Sequence, residues 1–195
     1  MYDFLIIGLG NPGREFHGTR HNAGFLVLDK LAVFLNVKFL RYQNKALIAT
    51  GEYEDRKYIL AKPQTFMNLS GQSVRGIVNF YKFTLEKIII VHDDVDLSLG
   101  EIRLRPGGGS AGQRGMESIK TYLGTEEYPR LRIGIGRPQN HMSTADFVLQ
   151  PFTNSEIVII SDVVDLAVSA LLLWASKGIT EAMNRFNGPV NKTKP

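Results

Sequence analysis

One histidine, one aspartate and two asparagines in this chain could together activate a water molecule. His21 stands in "TRHNAG" and Asp93 in "VHDDVDLSLG", while Asn11 follows "GLG" and Asn68 lies in "KPQTFMNLSG". A neutral imidazole takes a proton from water as a general base, a carboxylate fixes the imidazole tautomer, and amides hold a carbonyl group and the water. These residue types therefore favour hydrolysis with water as the nucleophile.

The elements predicted around these residues indicate how they come together. Strands are predicted at 4–7, twice within 45–62, and at 87–91, 101–105 and 131–135; helices are predicted at 21–35, 114–123, 155–177 and 180–187, and from Ser70 onward. Ser70 is predicted to cap its helix and Ser155 to begin the long one, which Gly178 is predicted to end. This alternation predicts an α/β protein: a single globular domain with a central twisted mixed β-sheet flanked by helices. Sites in such sheets gather at the carboxyl ends of strands, where the loops that carry these residues begin.

The spacing of Gly8, Gly10 and Gly13 matches the G-x-G-x-x-G pattern of dinucleotide-binding turns. That function requires a helix to begin inside the glycine pattern, so that its N-terminus faces the pyrophosphate. Here Pro12 restricts Asn11 to extended conformations, and helical periodicity begins only near Ala23. We therefore expect the glycines to allow a sharp turn that brings Asn11 close to the rest of its loop.

Three other chemistries have less support in the sequence. The aspartates of "DDVD" could bind Mg²⁺, but we find no second acidic cluster to complete such a site. The glycines at 107–109 lack the lysine and hydroxyl of a nucleotide-binding P-loop. A serine triad would need a G-x-S-x-G turn, which the sequence does not contain.

Composition limits the cellular context. The 195 residues contain no cysteine, which fits a reducing compartment, and we expect neither a signal peptide nor a membrane span. The most apolar run, 157–174, is interrupted by Asp162 and Asp165. Net charge is +4, and arginine dominates the segment 101–137. Arginine suits phosphate, although the same charges could simply solvate exposed faces.

Seven motifs together resemble the bacterial peptidyl-tRNA hydrolase family. They are "GLGNPG", "TRHNAGF", "KPQTFMNLSG", "VHDDVDLSLG", "GGGSAGQRG", "LRIGIGRP" and "FVLQPF", in the order and spacing of the family over nearly the whole chain. The resemblance implies a single α/β domain that hydrolyses the ester between a peptide and the 3′-terminal ribose of tRNA, without cofactor or metal. It further implies a cytoplasmic monomer that acts in translation and ribosome rescue, with the CCA end, acceptor stem and peptide as its contacts. We expect the domain to span 1–188 and a flexible tail 189–195.

The resemblance also implies a role for each matching residue. His21 corresponds to the catalytic base and Asp93 to its supporting carboxylate, while Asn11 and Asn68 correspond to amides that bind substrate and order the water. The positions that line the substrate site are Phe16, Phe66, Met67, Asn68, Gln113 and Arg114; those that hold a tRNA phosphate are Arg105 and Arg132.

The sequence departs from the family pattern at two places. Phe16 stands where the family often has tyrosine, and Gln113-Arg114 stands where most members have His-Asn. Three hypotheses therefore stay open: an active peptidyl-tRNA esterase, a catalytically silent RNA-binding relative, and a nicotinamide enzyme. The presence of His21, Asp93, Asn11 and Asn68 favours the first, because a pure binding protein does not need all four.

Overall fold

The fold is described by a computed structural model that covers residues 1–138 and 141–190. The strands are β1 (Phe4–Gly8), β2 (Arg41–Gln43), β3 (Ala46–Tyr53), β4 (Arg56–Pro63), β5 (Ile88–Asp94), β6 (Glu101–Arg105), β7 (Arg130–Gly134) and β8 (Gly188–Pro189). The helices are α1 (Ala23–Phe34), α2 (Ser70–Tyr81), α3 (Arg114–Leu123), α4 (Thr144–Val148), α5 (Asn154–Lys177) and α6 (Ile179–Phe186). Short 3₁₀ turns precede α1 at Arg20–Asn22 and α2 at Met67–Leu69.

The strands form one mixed sheet in the order β2-β3-β4-β1-β5-β7-β6-β8. The four central strands, β4, β1, β5 and β7, are mutually parallel, and the outer strands pair antiparallel. β1 and β5 are buried along their whole length, and their apolar residues face both layers of helices, as in parallel strands covered on both sides. The predicted α/β class with a mixed sheet between helices is confirmed.

Two apolar layers cover the sheet. On one face α1, α5 and α6 pack with Ile6, Leu60 and Val91, and on the other α2 and α3 pack with Ile7, Ile59 and Ile90. The side chains of β1 and β5 alternate between the two layers, because successive residues of a strand point to opposite faces. The parallel strands end at the same edge, which fixes where the loops that follow them meet.

The apolar helix α5 has the length and hydropathy of a membrane span, but it is a core helix. Val163, Ala167 and Leu171 lie on its buried face, and Trp174 packs edge-on against Phe4 of β1. Its buried face therefore packs against the sheet, whereas Ile157, Val158 and Ile159 near its start are exposed.

The structure corrects the predictions at two helix starts. Ser70 is not a cap: Leu69 holds the N-cap position, and the Ser70 hydroxyl is buried and forms no hydrogen bond within the described residues. The 3₁₀ turn at Met67–Leu69 leads directly into α2, so Ser70 already has a helical backbone conformation and cannot act as the N-cap. The long helix α5 begins at Asn154 instead of Ser155, because Thr153 and Glu156 form a reciprocal capping box.

The helix predicted over 21–35 is shorter at its start, since residues 20–22 form a 3₁₀ turn before α1. Three short elements, β2, α4 and β8, have no counterpart in the predictions. The division into a domain over 1–188 and a tail over 189–195 stays a prediction, although β8 pairs with β6 and Val190 is buried beside Gly100. Residues 191–195 lie outside the described residues.

Candidate active site

A cleft of about 820 Å³ opens at the carboxyl ends of the central strands. Loops after β1, β4 and β5, the glycine-rich loop before α3, and α4 form its walls. It brings together all the predicted site residues except Arg105 and Arg132: Asn11, Phe16, His21, Phe66, Met67, Asn68, Asp93, Gln113 and Arg114. The tertiary structure thus joins segments that lie as far apart in the chain as Asn11 and α4.

His21 and Asp93 form a hydrogen-bonded pair at the bottom of this cleft. His21 Nδ1 lies 2.8 Å from Asp93 Oδ2, and the two side chains are only 10% and 3% exposed. A carboxylate accepts but does not donate, so Nδ1 carries the proton and Nε2 keeps a lone pair. Because His21 also lines the cleft, Nε2 is the ring nitrogen available to a water or substrate there.

Asn22 holds the Asn11 loop against the turn that carries His21. Its side-chain oxygen accepts from the Asn11 backbone nitrogen at 2.8 Å, and its amide donates to the Asn11 carbonyl at 3.0 Å. Asn11 Oδ1 in turn accepts from the Met67 backbone nitrogen at 2.8 Å. The NH₂ group of Asn11 therefore remains as the donor that the cleft can use.

The segment after β4 presents alternating buried and exposed side chains to the cleft. Met67 is buried, whereas its neighbours Phe66 and Asn68 are exposed. Phe16, from the loop after β1, also lines the cleft and is half-buried. An aromatic ring that is 59% exposed, as Phe66 is, offers a stacking surface for a planar or apolar group.

Gln113 and Arg114 begin α3 at the edge of the cleft but differ in surroundings. Gln113 is buried, and its amide contacts Asp93, Met67 and the Met116 backbone. Arg114 is exposed on the lining and, in the described part of the chain, forms no hydrogen bond or ion pair.

The two predicted phosphate-binding arginines lie outside the lining, on one face of β6 and β7. Arg105 is exposed. Arg132 donates through Nε to Asp94 Oδ2 at 2.5 Å, and Asp94 is buried beside Asp93. Arg103 stands opposite Arg132 in the antiparallel register, so this face presents three arginines beyond the cleft.

Arg20 was not among the predicted site residues. It binds the segment that follows α4, a wall of the cleft, and so connects that segment to the turn that carries His21. Its buried guanidinium donates to the carbonyls of Gln150 and Pro151 and to Glu156 Oε2 at 2.7 Å. Burial alone would raise the pKa of Glu156, but hydrogen bonds from Thr153 and Arg20 lower it overall. Both Arg20 and Asn22 belong to the "TRHNAG" motif, so the signal was present in the sequence, but their partners lie far along the chain.

His92 adjoins Asp93 in β5 and is fully buried. Its Nδ1 lies 2.7 Å from the Asp93 carbonyl oxygen and therefore donates to it. Burial lowers the pKa of His92, and the neighbouring Asp93 and Asp94 carboxylates offset this only in part. The ring beside the site is thus kept neutral.

The glycines before the cleft serve close packing. A Cβ at Gly8 would collide with the Gly24 carbonyl, and one at Gly24 would collide with the backbone of Leu9 and Val91. Gly10 lies against the Phe25 ring. α1 therefore lies directly on the ends of β1 and β5. Residues of α1 occupy the space beside the glycine turn.

Metal-binding groups are not assembled in the part of the chain that the structure describes. There, no group of three or more histidine, aspartate or glutamate side chains is arranged to hold a metal ion. Asp94 and Asp96 of the "DDVD" segment pair instead with Arg132 and Arg137.

The fold and the cleft define an α/β protein with a histidine–aspartate pair at the end of a central parallel strand. A sequence model of the family described as peptidyl-tRNA hydrolase matches residues 5–194. A relative named peptidyl-tRNA hydrolase from a Thermoanaerobacter species is 48% identical over 185 residues, which are 95% of this chain and 100% of the relative. One from Carboxydothermus hydrogenoformans is 48% identical over 184 residues, 94% of this chain and 98% of that one.

Solved structures give the same result. The crystal structure of peptidyl-tRNA hydrolase from Acinetobacter baumannii superposes with a TM-score of 0.90 at 35% identity over 97% of both chains. A complex of a peptidyl-tRNA hydrolase with N-propanol gives a TM-score of 0.90 at 36% identity over 95% of both chains. The chain belongs to the peptidyl-tRNA hydrolase family and is a hydrolase. The silent RNA-binding alternative is not favoured, and the packing of the glycines leaves the nicotinamide hypothesis without support.

Proposed function

We propose that this chain hydrolyses the ester between a peptide, or an N-blocked amino acid, and the 3′-terminal ribose of tRNA. The reaction recycles tRNA from prematurely released peptidyl-tRNA. The observation that carries the proposal is the 2.8 Å contact between His21 Nδ1 and Asp93 Oδ2, which leaves Nε2 as a proton acceptor on the cleft. The names of the relatives supply the substrate class.

In the proposed reaction His21 Nε2 takes a proton from water while the water oxygen bonds to the ester carbonyl carbon. The bond from that carbon to the ribose 3′ oxygen then breaks, and the imidazolium returns the proton to that oxygen. Asp93 stabilises the imidazolium in between. The products are the peptide acid and tRNA with a free 3′ hydroxyl.

The remaining cleft residues bind and orient the substrate. The free NH₂ of Asn11 and the exposed amide of Asn68 hold the carbonyl and the water. Phe16, Phe66 and Met67 contact the peptide and the terminal adenosine of the CCA end, and Arg114 adds positive charge there. Arg105 and Arg132 contact a phosphate of the acceptor stem. The enzyme acts as a cytoplasmic monomer.

The test is release of labelled N-acetyl-amino acid from tRNA by the purified chain, with EDTA present. We expect release by the wild type and a loss of about 10²–10⁴-fold in His21→Ala, the range typical of a lost general base. tRNA binding and thermal stability should be retained in this variant. A wild type that binds tRNA without releasing the label would instead support the silent RNA-binding function.

A second variant tests the role of Asp93. Asp93→Asn keeps the shape of the site but lets the amide donate to Nδ1, which favours the wrong imidazole tautomer. We expect a large fall in kcat and an acidic limb of the pH–rate profile at lower pH, because the carboxylate no longer stabilises imidazolium. An acidic limb at the wild-type position would mean that Asp93 only supports the loop.

A further inference from the structure

The orientation of the Gln113 amide is determined by the helix that it caps. Gln113 Oε1 accepts from the Met116 backbone nitrogen at 2.8 Å, in the N-cap position of α3. A backbone N–H can only donate, so the atom facing it must be the amide oxygen. The NH₂ group of Gln113 therefore points the other way, into the protein beneath the cleft.

That NH₂ group contacts the carboxylate of the histidine–aspartate pair. Gln113 Nε2 lies 3.0 Å from Asp93 Oδ1 and 3.3 Å from the Met67 sulfur. Asp93 Oδ2 accepts from His21. Each oxygen of this buried carboxylate thus has one donor from a different segment of the chain, and two such bonds hold the carboxylate plane against rotation.

We propose that Gln113 is a positioning residue: it fixes the Asp93 carboxylate and, through it, the tautomer and orientation of the His21 ring. The inference rests on the proposed roles of His21 and Asp93. It differs from the substrate-binding role expected for Gln113, since both ends of the amide are occupied within the protein. The amide supplies a donor that stays neutral at every pH, so it orients the carboxylate without adding charge.

The first variant separates this role from helix capping. Gln113→Ser keeps a good N-cap residue for α3 but is too short to reach Asp93. We expect kcat to fall about 10-fold or more, the order expected for a lost hydrogen bond to a charged group. KM should change little. The buried Asp93 carboxylate loses a donor, so the melting temperature should fall, and kcat is compared at a temperature where both proteins are fully folded. The control is Ser110→Ala in the same exposed loop, which leaves both donors to Asp93 in place and should keep wild-type kcat.

A second variant keeps the length of the side chain. Gln113→Glu retains the acceptor for Met116 but replaces the donor with a carboxylate that faces Asp93. Two carboxyl groups in contact at a buried site do not both ionise, so the introduced one takes up a proton and can donate to Asp93 near neutral pH. We therefore expect kcat to be partly retained near neutral pH and to fall further as the pH rises and this proton is lost. The other charged or titratable groups around the pair, which are unchanged in this variant, are His92, Asp94, Asp96, Arg114, Arg132 and Arg137.

A double-mutant cycle decides whether Gln113 acts through Asp93. In the Asp93→Asn background, Gln113→Ser should cost little further kcat, because residues that act as a unit are not additive. Additive losses, a rise in KM in place of the fall in kcat, or a kcat of Gln113→Glu that does not fall as the pH rises would each overturn the proposal. An inactive wild type would instead refute the proposed function, and a fully active Asp93→Asn would refute the role of Asp93.

Discussion

Arg114 places a guanidinium on the lining of the cleft, at the first residue of α3. It stands where most members of the family carry asparagine. Asparagine can donate and accept hydrogen bonds, whereas arginine only donates, so the Arg114 side chain can donate to a carbonyl or phosphate but cannot accept a hydrogen bond from water. A cation on the same lining as His21 also favours the neutral imidazole.

Arg114→Asn tests this electrostatic role. We expect an active enzyme whose acidic limb of kcat/KM lies at higher pH than in the wild type, since removal of the cation makes imidazolium easier to form. The measurement is kcat/KM against pH for Arg114→Asn and the wild type at the same ionic strength. Superimposable limbs would show that the guanidinium is too well solvated to act on His21, and loss of activity would show that substrate binding depends on arginine.

His92 makes the stability of the folded protein depend on pH. Burial lowers its pKa in the folded chain, so the folded state holds it neutral while the unfolded imidazole binds a proton below about pH 6.5. Stability from this group is complete above that pH and falls as the pH drops below it, by at most about 1.4 kcal/mol per pH unit.

The measurement is urea unfolding of His92→Gln and the wild type between pH 5 and 7. We expect the variant to be less stable at pH 7 but to show a shallower decline in the free energy of unfolding toward pH 5. His17→Gln, a change at an exposed histidine, should run parallel to the wild type. If the free energy of unfolding of His92→Gln declines with pH in parallel with that of the wild type, the buried ring of the wild type tolerates protonation.

At the scale of elements, the position of α4 relative to the His21 turn depends on Arg20. α4 itself is a short helix with one buried residue, Val148, and cannot anchor itself by packing. Arg20 binds the chain just beyond it through two carbonyls and Glu156, and stacks on Phe147. The Thr153–Glu156 capping box ties the same point to α5.

Arg20→Met should therefore destabilise the protein. Losing hydrogen bonds from a buried charged group typically costs about 1.5–3 kcal/mol. The Pro151 carbonyl loses its guanidinium donor, whereas the Gln150 carbonyl keeps the Arg20 backbone N–H. The matched control is Arg137→Met, which breaks an exposed pair with Asp96 and should cost less than about 1 kcal/mol. Equal effects of the two substitutions on the free energy of unfolding would show that the wall of the cleft is held in another way.

At the scale of the whole molecule, the face that carries Arg103, Arg105 and Arg132 lies beside the cleft and opposite to the layer of α1, α5 and α6. Positive charge there would extend the contact with tRNA from the 3′ end toward the acceptor stem. Arg105 offers the cleaner variant, because loss of Arg132 would also leave the buried Asp94 carboxylate without its cation.

Arg105→Ala should weaken tRNA binding and reduce the slope of log K against log salt by about one unit, the effect of one lost phosphate contact. Hydrolysis of a minimal substrate that lacks the acceptor stem should be unchanged. Arg185→Ala, an equal charge change on the exposed side of α6, is the control. Equal loss with both substrates would place Arg105 in the reaction, and an unchanged slope would remove it from the tRNA interface.

Most long elements could be predicted because local periodicity and composition decide them. The helix at Arg114–Leu123 and the strand at Glu101–Arg105 match their predicted bounds, since an amphipathic pattern and a turn residue mark each. The start of α2 at Ser70 agrees with the prediction, but the capping role of Ser70 was wrong, because the sequence pattern does not reveal the 3₁₀ turn at Met67–Leu69 that precedes it. β2, α4 and β8 are too short for periodicity to mark them. β2 pairs with the adjacent β3 and β8 with the distant β6, while Arg20 binds the chain that follows α4.

The sequence by itself determined the α/β class, the family resemblance and the residue types of the site, because strand and helix patterns and the motifs around His21, Asn68 and Asp93 are local. Only the tertiary structure decided which atoms meet: Asp93 Oδ2 with His21, Asp93 Oδ1 with Gln113, and Arg20 with Glu156. These contacts join residues between 20 and 136 positions apart, and their geometry follows from the parallel strands ending at one edge. Local sequence patterns predict that the site lies at this edge, but they do not give the order of the strands, which decides which side chains become neighbours.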